Sequence, residues 1–198
     1  MKKIFAFMGK SSSGKDTLFK ELLKSQEELN IVPYILYTTR PIRENEQHGK
    51  DYFFVSDEDF DNLISTGKML EYRAYNTVHG IWRYGTANDH QLDTNKNIAI
   101  ILTLEGYNSL ISSNSIDTDN IIPIYIEVED GERLTRALAR EKQQKQPKYK
   151  ELCRRFLADS EDFSEENLQS AGIKTRFENN NLEECLNEIK TYILSFNK

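Results

Sequence analysis

The sequence predicts an α/β fold: a parallel sheet of about five strands flanked by helices, interrupted by a small antiparallel α+β insert and covered by a helical lid. Three observations predict it. Continuous apolar runs, the mark of strands covered on both faces, recur at IFAFM (4–8), NIAIILTL (97–104) and IIPIYIEV (121–128). Stretches with helical spacing lie between such runs, and strands alternating with helices give a parallel sheet with right-handed crossovers. From 40 to 95 the rhythm changes to short segments that alternate residue by residue, as half-buried antiparallel strands do.

Taken in order, the first strand is 4–8 and the first helix 14–25, with Leu18, Leu22 and Leu23 on one face. VPYILYTT (32–39) is a further strand. In the insert, DYFFVS (51–56) and MLEYRAY (69–75) are strands with a short helix at 57–66 between them. Residues 76–83, NTVHGIWR, read as a turn holding His79 as a surface histidine and Trp82 as a packing residue. After the strands at 97–104 and 121–128 come helices at 130–143, 149–163 and 182–195, with RFEN (176–179) as the last strand. EKQQKQPKY (141–149) is polar, contains proline and lacks an apolar period, so it reads as a mobile loop. The length, 198 residues, suits one domain: a core of 1–37, 96–140 and 164–198, an insert of 38–95 and a lid of 141–163.

Composition excludes several classes. A net charge of −6 disfavours a general nucleic-acid binder, whose affinity rests on neutralising phosphates. Two cysteines make no disulfide scaffold, and no Cys/His cluster has metal-ligand spacing. No apolar run is long enough to span a membrane, and the apolar stretch at the N-terminus stops at Gly9-Lys10, too early for a signal peptide. The expectation is a cytoplasmic protein, a monomer or homodimer.

GKSSSGKD (9–16) follows the first strand and opens the first helix. Gly9, four residues, then Gly14-Lys15 is a phosphate-binding loop, so the parallel sheet is of the P-loop NTPase type. The glycines let the chain turn tightly, so that backbone N–H groups across Gly9, Lys10, Ser11, Ser12, Ser13 and Gly14 point at one anion. The helix dipole adds positive potential at the same point, and Lys15 supplies a compact charge for the outer phosphates. Asp16 stands where Ser or Thr usually ligates Mg²⁺. A carboxylate is also an oxygen ligand for Mg²⁺, but beside a triphosphate it adds negative charge. Thr17 brings a hydroxyl on a different side of the helix.

The second constellation is YTTRPIRENEQHGKDYFFVS (37–56). Arg40 and Arg43 are spaced to converge on one doubly charged phosphomonoester, and Tyr52 can donate to it. Thr38, Thr39, Arg40, Arg43, Glu46, Gly49, Asp51, Tyr52, Phe54, Val55 and Ser56 match in spacing a run found in the guanylate kinase family, which the chain resembles. The similarity continues through 57–71, resumes at RYGT (83–86) and is weak beyond 105.

The resemblance implies an ATP-dependent GMP kinase using Mg²⁺, with ATP and GMP as its small-molecule partners. By the same resemblance, Arg40, Arg43, Tyr52 and Tyr84 grip the GMP phosphate. Glu71 accepts from guanine N1–H and the 2-amino group, and Thr86 and Glu105 touch the base. Adenine lacks two adjacent donors, so such a site rejects it. Arg140 and Arg155 correspond to lid arginines that stabilise the transferring phosphoryl group, Arg136 matches by its i, i+4 spacing from Arg140, and Asn179 corresponds to an adenine contact. Departures gather at the acceptor base: Leu36 where the family has Ser, Thr103 and Glu105 in place of two aspartates, and the longer 76–83 segment. Two alternatives therefore stay open, a related kinase with another phosphorylated acceptor such as a ribose bisphosphate, and a non-catalytic interaction module.

Overall fold

The structure is a computed structural model, and it describes residues 2–44, 46–77, 80–113 and 116–197. His79 of the sequence reading lies outside them. Five strands form one fully parallel sheet: β1 (Ile4–Met8), β2 (Ile31–Pro33), β7 (Asn97–Ile101), β8 (Ile121–Glu127) and β9 (Arg176–Glu178), in the order β2-β7-β1-β8-β9. The central strand β1 is buried along its whole length, as a strand must be when helices cover both faces. One face packs Phe5, Phe7, Ile124 and Ile126 against Leu18, Phe19, Ile189 and Ile193 of α1 (Lys15–Leu23) and α7 (Leu182–Leu194). The other packs Ile4, Ala6, Met8 and Ile100 with Leu104, Tyr107 and Leu110 of α3 (Leu104–Ser112) and with Phe163 and Leu168 near α6 (Glu165–Ser170).

A second sheet has the order β4-β3-β6-β5, built from β3 (Tyr37–Thr38), β4 (Phe53–Phe54), β5 (Met69–Thr77) and β6 (Gly80–Ala87). The helix α2 (Asp57–Ser65) joins β4 to β5 and starts at a capping box in which Ser56 and Asp59 satisfy each other's backbone N–H groups. The lid region consists of α4 (Asp130–Lys142) and α5 (Tyr149–Asp162).

Four expectations are corrected. The run 32–39 is not one strand: Ile31–Pro33 belongs to the main sheet and Tyr37–Thr38 to the second. Only Phe53–Phe54 of 51–56 forms a strand, and it pairs parallel with β3, so the second sheet is mixed. The run 97–104 ends as a strand at Ile101, because Thr103 caps α3, its hydroxyl accepting from Gly106 N–H. Residues 76–77 and 80–83, expected in a turn, are strand: Thr77 pairs with Gly80 and Tyr75 with Trp82.

Candidate functional site

The loop follows the C-terminal end of the central strand, where crevices of parallel α/β sheets bind ligands. Gly14 has φ +83° and Ser12 φ +66°, so the loop makes left-handed steps that turn its N–H groups inward. A Cβ on Gly9 would come within 2.7 Å of the Ile126 carbonyl oxygen. One on Gly14 would stand 2.3 Å from Asn179 Nδ2. Both glycines are thus demanded by close packing as well as by the turn.

Asn179 lies beneath this loop. It is 3% exposed, and its amide donates to Ser13 O at 2.8 Å. Arg136 donates to the Asn179 carbonyl at 3.1 Å and pairs with Glu132 along its own helix. The structure therefore brings Arg136 to Asn179, and not to the serines of the loop. Arg140 and Arg155 do reach those serines: Arg140 donates to Ser12 Oγ at 3.1 Å and Arg155 to Ser11 Oγ at 2.9 Å. Lys10 pairs with Asp130 at 3.3 Å. Lys15 Nζ lies 2.8 Å from Asp16 Oδ1 at the exposed start of α1, where Thr17 is also exposed. Desolvation pushes the Asp16 carboxyl up, but Lys15, Lys20 and Arg140 together hold it below the ordinary carboxylate value.

Two residues that the sequence reading missed brace the loop to the lid. Arg133, 1% exposed, donates to Ser11 O at 3.1 Å and to Asp130, and stacks 4.6 Å over the Phe156 ring. Asp159 of α5 accepts from Ser11 N–H at 2.7 Å. Each looks in sequence like a charged residue on a solvated helix. A cavity of about 350 Å³ opens beside Lys10, lined by Glu127, Glu129, Asp130, Arg133 and Glu178. Its acidic wall makes it a poor host for a triphosphate.

The insert supplies the opposite wall. Arg40 is buried and forked onto Glu46 at 2.8 and 2.9 Å, with Tyr52 and Phe54 rings 5.4 and 5.5 Å from its guanidinium. Tyr84 is within hydrogen-bonding reach of the same group and in edge contact with Tyr52. Burial pushes the Tyr52 phenol above its ordinary value. Arg43 is exposed beside it, its backbone N–H donating to Glu46.

Strand alternation puts Glu71, Arg73 and Tyr75 on one face of β5, and β5 packs on α3. Glu71, 6% exposed, accepts from Thr86 Oγ1 at 2.6 Å and from Arg73 at 3.1 Å. Tyr75 donates to Glu105 at 2.9 Å, so Glu105 joins the same cluster from the first turn of α3. Burial pushes the Glu71 carboxyl above its ordinary value, against the opposing pull of Arg73 and Thr86. Leu36 belongs to the apolar core and offers no polar group. Arg73 was missed, although its period-two spacing from Glu71 was the signal for it.

A parallel sheet with a phosphate loop at its central strand, which Arg140 and Arg155 reach from the lid region, defines a P-loop nucleotide-binding domain. The model of the family described as guanylate kinase matches residues 1–195, and the chain belongs to that family. A guanylate kinase of Blochmanniella floridana is 37% identical over 110 residues, covering 53% of this chain and 50% of that protein. One of Mycoplasma genitalium is 29% identical over 194 residues, covering 98% of this chain and 75% of that protein. The chain spans about half the length of several curated relatives it matches. The fold is shared with the crystal structure of guanylate kinase from Anaplasma phagocytophilum, at a TM-score of 0.66 and 22% identity over 98% of this chain and 85% of that one.

Proposed function

We propose that this protein transfers the γ-phosphoryl group of ATP to GMP, and to dGMP, giving ADP and GDP or dGDP. The observation behind this reading is that Arg140 and Arg155 reach the serines of the phosphate loop, while the insert holds Arg40 beside Tyr52 and Glu71 beside Thr86 at the positions expected of this family. A donor triphosphate on Gly9–Thr17 and an acceptor phosphate on Arg40, Arg43, Tyr52 and Tyr84 then meet in one cleft. Glu71, Thr86 and Glu105 take the guanine base.

The reaction needs positioning and charge neutralisation more than proton transfer, because the acceptor phosphate is already a competent nucleophile. Lys15, Arg140 and Arg155 surround the transferred group, with Arg136 bracing the nearby Asn179. Asn179 acts here as a strut under the loop, at the edge of the adenine site. Core 1–37, 96–140 and 164–198, insert 38–95 and lid 141–163 move as separate parts, closing to exclude water and so limiting ATP hydrolysis.

Mg²⁺ arrives with ATP. Asp16 suits it: an exposed oxygen donor held ionised at the start of α1, whose single carboxylate fits a cation bound largely by phosphates and water. Among the described residues no cluster of three or more His, Cys, Asp or Glu could hold a metal. Among the described residues no helix is long and apolar enough to cross a membrane. Both Cys153 and Cys185 are free thiols, which suits a reducing compartment such as the cytoplasm.

The test is a coupled ADP-release assay with ATP, Mg²⁺ and GMP, dGMP, AMP, CMP, UMP or ribose 1,5-bisphosphate. Turnover with GMP and dGMP alone is expected. Preference for another acceptor would overturn the reading of Glu71 while keeping the loop.

A further inference from the structure

The cleft holds a charged group that phosphate transfer does not use. Arg73 is 6% exposed and sits between Glu71 and Tyr75 on the face of β5 turned to α3. One terminal nitrogen donates to Glu71 at 3.1 Å, while its Nε is buried and has no hydrogen-bond partner among the described residues. The guanidinium fills the space above Gly106, where a Cβ would lie 1.5 Å from that same terminal nitrogen. Glu71 balances the charge of Arg73 but uses only part of its five-donor fork. A buried donor left idle is costly, and a ligand acceptor at this point would remove the cost.

The edge of guanine, a 2-amino-6-oxopurine, supplies one. It presents a carbonyl oxygen at C6, then N1–H, then the 2-amino group. A carboxylate beside a guanidinium is the complement of that series. We propose that Arg73 is a specificity residue for the acceptor base, donating to the C6 oxygen of the purine whose N1–H and 2-amino group are held by Glu71. This rests on the proposed reading of GMP as acceptor. Adenine carries a 6-amino group there, so it would set donor against donor at Arg73 and gain nothing from Glu71.

The experiment compares kcat/KM of wild type, Arg73→Ala and Arg73→Lys for GMP, 6-thio-GMP and IMP at saturating ATP. The thio analogue changes only the C6 acceptor, to a weak one, and IMP removes only the 2-amino group. Wild type should prefer GMP over 6-thio-GMP by about tenfold, the size of one hydrogen bond to a charged donor. In Arg73→Ala that ratio should fall to about one, with GMP weakened about ten- to hundredfold, chiefly in KM. The GMP-to-IMP ratio, which reports on Glu71, should stay as in wild type. Gly106→Ala, which displaces the guanidinium, should also lose the GMP preference over the thio analogue.

A wild-type GMP-to-thio ratio in Arg73→Ala would make Arg73 only a partner for Glu71, and faster GMP turnover would make it a plug; either overturns the inference. If the alanine variant does not fold, Arg73→Lys decides, since it keeps the charge but not the fork: a reduced ratio supports the proposal and an unchanged one overturns it. Wild type inactive with GMP would overturn the reading of the site itself, and this inference with it. Wild type active on GMP but with an unchanged ratio in the variants would overturn the inference alone.

Discussion

At the scale of single residues, the account depends on charge held in fixed places. Lys15→Ala should lower kcat by about 10²–10³-fold with the fold intact, since it removes a fixed charge from the developing transition state; steady-state rates beside a circular dichroism spectrum check this. Glu71 makes a prediction in pH. Its carboxyl is raised above the ordinary 4.5 by burial, yet it must be ionised to accept two donors from guanine. As pH falls from neutral, GMP KM should therefore rise through a midpoint above 4.5. Phosphate also titrates, near pH 6, so the comparison is with Glu71→Gln, which should show weaker GMP binding and lack that midpoint. The sign for stability is opposite to that of a carboxylate whose folded value is lowered: because burial outweighs the pull of Arg73, a raised folded value opposes folding as pH rises past the unfolded value. Arg40, Arg43 and Tyr52 were singled out by their spacing in one run, and Glu71 and Thr86 by the family resemblance alone. Arg73, Arg133 and Asp159 were not, because a charged residue on a strand or helix reads as solvated until its neighbours are known.

At the scale of elements, the phosphate loop is shaped from below as much as by its own glycines. Asn179→Ala removes the donor to Ser13 O and leaves that carbonyl unpaired. It should cost about 1–3 kcal/mol of stability, measured by urea unfolding. If Asn179 acts as a strut, the variant's preference for ATP over GTP as donor should match wild type; a changed donor preference would instead show contact with the base. Gly14→Ala forces a side chain into the left-handed region and against Asn179, so it should destabilise by at least about 1–2 kcal/mol. The helices at 130–143, 149–163 and 182–195 were legible to within a residue at each end. The helix α3 was not, because LEGYNSLIS continues an apolar strand and only the Thr103 cap marks the break.

At the scale of the whole molecule, two sheets share one chain, and the proposed donor and acceptor sites belong to different sheets. The parallel core was legible because its strands are apolar on both faces. The division at 33–37 was not, since Val32 and Tyr34 pack with the core while Tyr37 pairs in the second sheet, and Pro33, where β2 ends, was read as lying inside one strand. In the proposed site four sets of residues converge across that division: Asp16 and Lys15 on the loop, Arg140 and Arg155 on the lid, Arg40 and Tyr52 on the insert, and Glu71 with Arg73 beside α3. One measurement tests that convergence most directly: phosphorus NMR of the products formed from ATP, Mg²⁺ and GMP, followed in time. ADP and GDP appearing in equal amounts, with negligible inorganic phosphate, is the predicted result. ADP accompanied by inorganic phosphate, or no GDP at all, would contradict the claim that the two sites face each other for direct transfer.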